Sequence, residues 1–351
     1  MKFWTLTNSS PTRAANYAKR AEEAGWDGIM VVDSQNLSGD SYVALTAMAL
    51  ATKDIQLGTG VTNPITRHPA VTASAIIAVQ RLSGGRASLG IGRGDSALAH
   101  LGKAPARVST MESYLKVLQA YLRGDGVPFE LLNFSESVAP DVATLGLADT
   151  PEMSQLKWIS DRDIKVPVEV ASTGPRVIDM AARLGNRVMF ALGADIDRLK
   201  WGVHAALEAA KKEDRTVSLG AYVNVVCHDD VPAARQMVQG GLSTFARFSV
   251  MHGEVKGTIT KAQKAVLENL HSQYNMKEHT KTDSKQANAM PAEFIDQYAI
   301  VGPADYCVER IKEIEALGIN KIAIIGPSAG ADRELSIEAE ENISRRVISQ
   351  F

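Results

Sequence analysis

One unit recurs along this chain: an Ala-rich run with helical spacing of apolar residues, then Gly, a short polar link and a β-rich run. Four copies carry the Gly. They are Glu22-Glu23-Ala24-Gly25 before Ile29-Met30-Val31-Val32, Ser83-Gly84-Gly85 before Ala87-Ser88-Leu89-Gly90-Ile91, Ala182-Arg183-Leu184-Gly185 before Val188-Met189-Phe190, and Glu315-Ala316-Leu317-Gly318 before Ile322-Ala323-Ile324-Ile325. Each Gly stands where a helix ends in the left-handed conformation that only Gly adopts cheaply.

Helix starts agree. Ser10-Pro11, Gly174-Pro175, Val231-Pro232 and Gly302-Pro303 put Pro at a first helical position, where its missing N–H costs nothing. Ser109-Thr110-Met111-Glu112 reads as a capping box. Strands are predicted at about residues 2–7, 28–33, 54–60, 86–91, 166–172, 187–192, 217–227 and 319–326. Most are continuous apolar runs, the pattern of strands buried on both faces of a parallel sheet. Eight strands with helices between them favour a closed (β/α)8 barrel, a TIM barrel, over an open doubly wound sheet.

Two stretches break the rhythm, at about 124–165 and 250–298. The first opens on Gly124-Asp125-Gly126 and is acidic; the second is polar and Lys-rich, with His252, His271 and His279 scattered through it. The chain therefore reads as one barrel domain over residues 1–351 with two insertions, which in a barrel make a lid or an oligomer contact. Neither a charge cluster nor an aromatic cage in the second names a substrate.

Composition removes other classes. The chain of 351 residues is 45% hydrophobic, and its 38 Lys+Arg nearly balance 40 Asp+Glu, for a formal charge of −2. A chain this long buries roughly 75% of its unfolded surface without a disulfide or metal staple. Nucleic acid is set aside as main partner, because neutralising phosphates takes clustered Lys and Arg. Cys227 and Cys307 are well separated, with no nearby His pair, which is neither a zinc pattern nor a disulfide framework. The expectation is a reduced, cytoplasmic compartment. The N-terminus lacks a basic and apolar leader, and no apolar run reaches about 18 residues, so no membrane span is expected.

In a barrel the active face lies at the C-terminal ends of the strands, and the loops there can be read in turn. They hold Asn8, then Asp33-Ser34-Gln35-Asn36, then Gly58-Thr59-Gly60-Val61-Thr62-Asn63-Pro64, then Gly92-Arg93-Gly94-Asp95-Ser96, then Ser172-Thr173-Gly174-Pro175-Arg176. The last combines two hydroxyls, a Gly, a helix start and an Arg, the makings of a phosphate site. Ser or Thr simply capping a helix explains it too. Gly90-Ile91-Gly92-Arg93-Gly94 fails the G-x-G-x-x-G fingerprint because Asp95 takes the place of the last Gly, so a Rossmann reading is rejected. Its glycines instead let a flat ligand lie against a strand end, while Arg93 and Asp95 equally suit pairing with neighbours. Gly58 and Gly60 inside a buried strand argue for a bulge or a close backbone approach. His68, next to Pro69, suits a capping group as well as a general base.

Taken together, these residues resemble the luciferase-like flavin oxidoreductases, the superfamily of bacterial luciferase, alkanesulfonate monooxygenase and the F420-dependent methylenetetrahydromethanopterin reductases. The match rests on Gly58-Thr59-Gly60-Val61-Thr62-Asn63-Pro64 with Arg67-His68-Pro69, on Leu82-Ser83-Gly84-Gly85-Arg86 leading to Gly90-Ile91-Gly92-Arg93-Gly94-Asp95-Ser96, and on Ala171-Ser172-Thr173-Gly174-Pro175-Arg176. It spans nearly the whole chain and is closest to the methylenetetrahydromethanopterin-reductase-like branch.

The resemblance implies a barrel holding reduced FMN or the deazaflavin F420 at its C-terminal face. Thr59, Gly60 and Val61 would prop the ring on a bulge, often with a non-prolyl cis peptide. Gly92 and Arg93 would flank the ring and ribityl chain, and Ser172, Thr173, Gly174 and Arg176 the phosphate. Asp33, Ser34, Asn63 and His68 are the implied catalytic side chains, with Asn8, Gln35, Asn36 and Asp95 on the substrate side and no residue assigned to a metal. A β-branched residue at Gly60 is expected to block the ring more than to disturb folding. Ala44, Ala47, Met48 and Ala51 suit close helix packing in a homodimer, or equally a stripe facing the barrel.

One departure bears on the chemistry. Where many F420 members have Asp-His after strand 2, this chain has Asp33-Ser34. A hydroxyl there suits oxygen chemistry on a flavin, so the first reading is a two-component monooxygenase that receives reduced FMN from a separate flavin reductase and oxidises a small organic substrate with O2. The alternative is F420-dependent hydride transfer to or from a small organic substrate. A third is a flavin-binding protein without catalysis.

Overall fold

The computed structural model describes residues 1–132, 134–160, 164–251 and 253–351. Nine strands alternate with helices: β1 (Lys2–Thr7), β2 (Gly28–Val31), β3 (Gln56–Thr59), β4 (Ala87–Ile91), β5 (Val168–Ser172), β6 (Arg187–Phe190), β7 (Ser218–Cys227), β8 (Ile300–Gly302) and β9 (Lys321–Ile325). Neighbours β1 to β7 pair in chain order, β7 pairs with β9, and β9 returns to β1, every pairing parallel. Phe190 lies opposite Ala221, Asn224 opposite Ile325, and Ile324 opposite Thr5, which closes an eight-stranded (β/α)8 TIM barrel. The eight expected strands are its staves. β8 was not foreseen: its three residues extend the sheet beyond the far end of β7, too short a run to register as a strand.

Local signals fared unevenly. Gly25, Gly84, Gly85 and Gly318 have φ between +67° and +97°, as left-handed helix ends require. Gly185 differs, with φ −87°; there a Cβ would stand 2.8 Å from the Ala181 carbonyl oxygen, so closeness rather than handedness calls for Gly. Pro175 opens its helix as expected, but Ser10-Pro11 lies in a turn before the helix Ala14–Glu23. The capping box at Ser109 is absent: that helix is Val108–Arg123, and Glu112 instead pairs with Lys116 and Arg183. A capping box occurs at Thr260 and Gln263, opening the helix Lys261–Gln273.

The barrel is filled, not hollow. At its N-terminal end Lys321 Nζ lies 2.6 Å from Glu169 Oε2 and 3.1 Å from the centroid of the Trp4 ring, and Arg187 Nε lies 3.2 Å from Glu169 Oε1. Burial lowers the Lys321 pKa to about 8 although Glu169 pulls it up. Above this floor Trp4, Met30, Met189, Tyr222 and Ala323 pack together. Among the described residues, packed side chains thus fill the N-terminal end of the barrel.

The helix Ser41–Ala51 buries Ala44 and Met48 wholly in the core, while Ala47 and Ala51 are half-buried and Val43 and Leu50 exposed. The described part of 124–165 holds two single 3-10 turns and exposes Phe134 and Val138. The second insertion packs as helices Lys261–Gln273 and Ala292–Tyr298 against the helix Val231–Phe248, sharing a core that includes Val238, Leu242, Leu267, Leu270 and Phe294. His252, noted in the sequence, lies outside the described residues.

Candidate active site

A cavity of about 450 Å³ opens at the C-terminal ends of the strands. Four walls enclose it, three of them drawn from the loops picked out in the sequence.

The first wall follows β2. Asp33 is 4% exposed; its Oδ2 accepts from Thr62 Oγ1 at 2.7 Å and from Arg67 Nη1 at 2.6 Å. Arg67 also donates from Nη2 to Asp40 at 2.7 Å and lies 4.8 Å over the Tyr42 ring. Burial alone would lower the Arg67 pKa, but Asp33 and Asp40 raise it, so Asp33 sits in this wall as one half of an ion pair. Ser34 Oγ lies 3.2 Å from Ser96 Oγ, a pair of hydroxyls on the cavity surface. Gln35 and Asn36 are exposed and bond to each other at 2.8 Å, outside the lining, and Asn8 is likewise exposed and outside it.

The second wall is the loop after β3, where the Gly60-Val61 peptide is cis. Main-chain bonds fix this bulge from both sides, from Gly60 N to Val31 O at 2.7 Å and from Thr62 N to Gly90 O at 3.0 Å. Val61 thereby faces the cavity beside Gly92, where a Cβ would come within 3.1 Å of Val61 Cγ2. A Cβ at Gly60 would meet Leu6 and Met30 at 2.6 and 2.7 Å, inside the barrel. That corrects the expectation above: bulk at position 60 disturbs packing before it meets a ligand. Thr59 is also turned away, its hydroxyl donating to the Gly90 carbonyl at 2.7 Å.

Two expected catalytic groups have structural duties. Asn63 lines the cavity, but its Oδ1 accepts from the backbone N–H of Ile65 and Thr66 at 3.0 and 3.1 Å, and its Nδ2 donates to Thr66. His68 is absent from the lining. Its Nδ1 accepts from Ala70 N at 3.2 Å, capping the helix Pro69–Leu82, and its ring stacks on Phe134 at 4.9 Å. Burial lowers its pKa.

The third wall is the lip after β5. Thr173 and Gly174 line it, Gly174 caps the helix Pro175–Leu184 without any side-chain cap, and a Cβ at Gly174 would meet nothing within 4 Å. The lip is thus an open helix start, suited to an anion. Arg93 reaches the cavity with Nε donating to the Ala106 carbonyl at 2.5 Å; burial and then the charge of Arg176 lower its pKa, so two guanidinium groups bear on this region. Arg176 itself is exposed and stands outside the lining. Ser172 is 1% exposed and donates to the Val170 carbonyl at 3.1 Å, so it faces away from the lip.

The fourth wall escaped the sequence reading. Tyr222 from β7, Thr244, Phe245 and Phe248 from the helix Val231–Phe248, and His279 with Thr280 from the second insertion all line the cavity. Arg247, behind this lining, binds Asp95, Nη2 to Oδ1 at 2.5 Å, and lies 4.3 Å from the Tyr274 ring centroid. The available signal was the Phe245/Phe248 spacing on a helix that follows the longest strand.

Filled floor, C-terminal cavity, glycine loops and open helix start leave a recess that could take a flat, anionic ligand. The family profile described as luciferase-like monooxygenase matches residues 2–321. The chain belongs to this family. It is an enzyme, a luciferase-like oxidoreductase. Among relatives of this luciferase-like chain, 5,10-methylenetetrahydromethanopterin reductase of Archaeoglobus fulgidus is 29% identical over 332 residues, covering 92% of this chain and 91% of that protein. F420-dependent glucose-6-phosphate dehydrogenase of Amycolatopsis mediterranei is 29% identical over 231 residues, 60% of this chain and 64% of that one. The solved structure of coenzyme F420-dependent tetrahydromethanopterin reductase from Methanopyrus kandleri shares the fold, with a TM-score of 0.74 at 22% identity, covering 100% of this chain and 99% of that one.

Proposed function

We propose that this luciferase-like protein is an F420-dependent oxidoreductase that moves hydride between the deazaflavin and a small organic substrate. The reading takes the place of the FMN-dependent monooxygenase expected first and of a flavin-binding protein without catalysis. Relatives matching nine-tenths of the chain are reductases, and the shorter match is named for F420. A separate flavin reductase is then no longer needed.

The observation that carries the cofactor's placement is the lip at Gly174: open space above the Cα, an uncapped helix start, and Arg93 and Arg176 bearing on one region. Thr173, Gly174, Arg93 and Arg176 would hold the phosphate end, and Val61 and Gly92 would back the ring. Bound there, F420 supplies or accepts the hydride. The protein's residues bind, orient and exclude water. Asp33 and Arg67 stiffen the bulge, while Tyr222, Phe245 and Phe248 give the substrate side an apolar wall in a cavity of ordinary cofactor-site size.

A labelled transfer tests it. The protein is incubated without oxygen with reduced F420 carrying deuterium at the ring carbon that donates hydride, and with 5,10-methylenetetrahydromethanopterin, acetone and glucono-lactone 6-phosphate in turn. Deuterium in a reduced product supports the reading. Reduced F420 unchanged in every mixture, with oxygen uptake on supplying reduced FMN, would refute it.

A further inference from the structure

Hydride transfer to a carbon doubly bonded to oxygen or nitrogen leaves an electron pair on that heteroatom, which takes up a proton. On the Asp33 side the described residues offer the Ser34 and Ser96 hydroxyls, 3.2 Å from each other, and a carboxylate whose Oδ2 is already held by Thr62 and Arg67. The opposite wall carries an imidazole.

Resting on the hydride-transfer reading, we infer that His279 is the proton donor and acceptor of this site and that Tyr274 positions it. His279 lines the cavity, and its Nδ1 lies 2.7 Å from Tyr274 Oη, which in turn lies 3.0 Å from Thr244 Oγ1. In the imidazolium, Nδ1–H donates to Tyr274, Tyr274 donates to Thr244, and Nε2–H is the proton left for a ligand. After release the neutral ring keeps Nδ1–H, and Nε2 becomes an acceptor. Nothing else has to move.

The step balances in both directions. In oxidation, the substrate C–H bond breaks with its electron pair passing to bound F420, the X–H bond pair becomes the second bond of C=X, and the X–H proton goes to His279 Nε2. Reduction runs the same transfers backward, with two electrons returned from reduced F420.

The groups around His279 are Tyr274 on its own segment, Arg247 on the helix Val231–Phe248, Asp95 and His100 from the loop region after β4, and Glu254 with Lys256, which line the same cavity and pair at 2.7 Å. Burial lowers the His279 pKa, Arg247 and His100 lower it further, and Asp95 raises it. The neutral base therefore prevails at neutral pH, so oxidation gains rate as pH rises through the His279 pKa and reduction loses it.

Three measurements test the assignment with the full-length protein. First, 15N NMR of the imidazole in ligand-free protein is expected to show His279 titrating below an ordinary histidine, with Tyr274→Phe shifting both its midpoint and its tautomer. Second, F420 titration by fluorescence is expected to give similar affinity in wild type and His279→Gln. Third, hydride transfer in the mixture that turns over above is expected to fall by about 10²–10⁴-fold in His279→Gln and to lose its pH limb. Normal F420 binding and an unchanged pH profile in His279→Gln, or an imidazole indifferent to Tyr274→Phe, would overturn the role of His279 alone. Failure of wild type to bind F420 would instead overturn the function on which it rests.

Discussion

Arg247 Nη2 and Asp95 Oδ1 stand 2.5 Å apart, joining the helix after β7 to the loop after β4 across the mouth of the barrel. Their side chains are only 10% and 18% exposed, and Asp95 Oδ2 and Arg247 Nε are buried without a protein partner among the described residues. A pair this enclosed ties the helix Val231–Phe248 to the loop after β4. Removing one member leaves the other charged and poorly hydrated, which costs about 3–5 kcal/mol, whereas an exposed pair contributes at most about 1. Arg247→Met is expected to lose an amount in the upper range by urea denaturation, and Asp95→Asn less, because it keeps an acceptor. A loss below about 1 kcal/mol for Arg247→Met would show that the pair behaves as a surface contact.

Two glycines of the site should respond oppositely to alanine. At Gly90 a Cβ would stand 2.1 Å from the Thr59 carbonyl oxygen, a backbone atom held in the neighbouring strand, so Gly90→Ala is expected to cost at least about 1–3 kcal/mol of stability. At Gly174 the space is open. Gly174→Ala should leave stability within about 0.5 kcal/mol and weaken F420 binding, since the methyl group occupies the lip. Equal melting losses in the two variants would contradict this division.

Arg176→Ala should weaken F420 by the worth of a charged hydrogen bond, about 1.5–3 kcal/mol, or roughly 10- to 100-fold in Kd. The wild-type affinity should also fall as salt is raised, and the variant's less steeply. Identical titrations would place the phosphate elsewhere.

Glu22 gives a stability dependence on pH. Its Oε1 accepts from the backbone N–H of Lys53, Asp54 and Ile55 at 3.0, 2.7 and 2.9 Å. Burial raises its pKa, but these bonds outweigh burial and hold the carboxyl below its ordinary value. With the folded pKa depressed, the unfolded chain binds more protons on acidification. The stabilisation is therefore complete above the unfolded value of about 4.3 and is lost as pH falls through the folded one. The stability gap between wild type and Glu22→Gln should be flat from about pH 8 to 5 and close below about pH 4. A gap that widens in acid would reverse the sign.

The barrel was legible because its signals are local: a helix stop at Gly25 or Gly318 and the apolar run after it lie within a few residues of each other. The glycine loops after β3, β4 and β5 were legible for the same reason. What a side chain does there was not. Thr59, Asn63 and Ser172 have the residue types of ligand-binding groups, yet each spends its polar atoms on nearby backbone or, for Asn63, also on Thr66, a choice set by rotamer and register. The fourth wall was hidden by distance along the chain, since Arg247 meets Asp95 from 152 positions away and His279 acquires its meaning only when Tyr274 and the cavity are beside it. A scattered histidine in a polar insertion carries no such information by itself.

The central claim concerns which cofactor the cavity serves, and it is tested by titrating the protein without oxygen with reduced F420 and, separately, with reduced FMN, then admitting air. The account predicts tighter binding of F420 and a complex that does not consume oxygen. Preference for reduced FMN, with oxygen consumed by the complex, would contradict it and restore a monooxygenase.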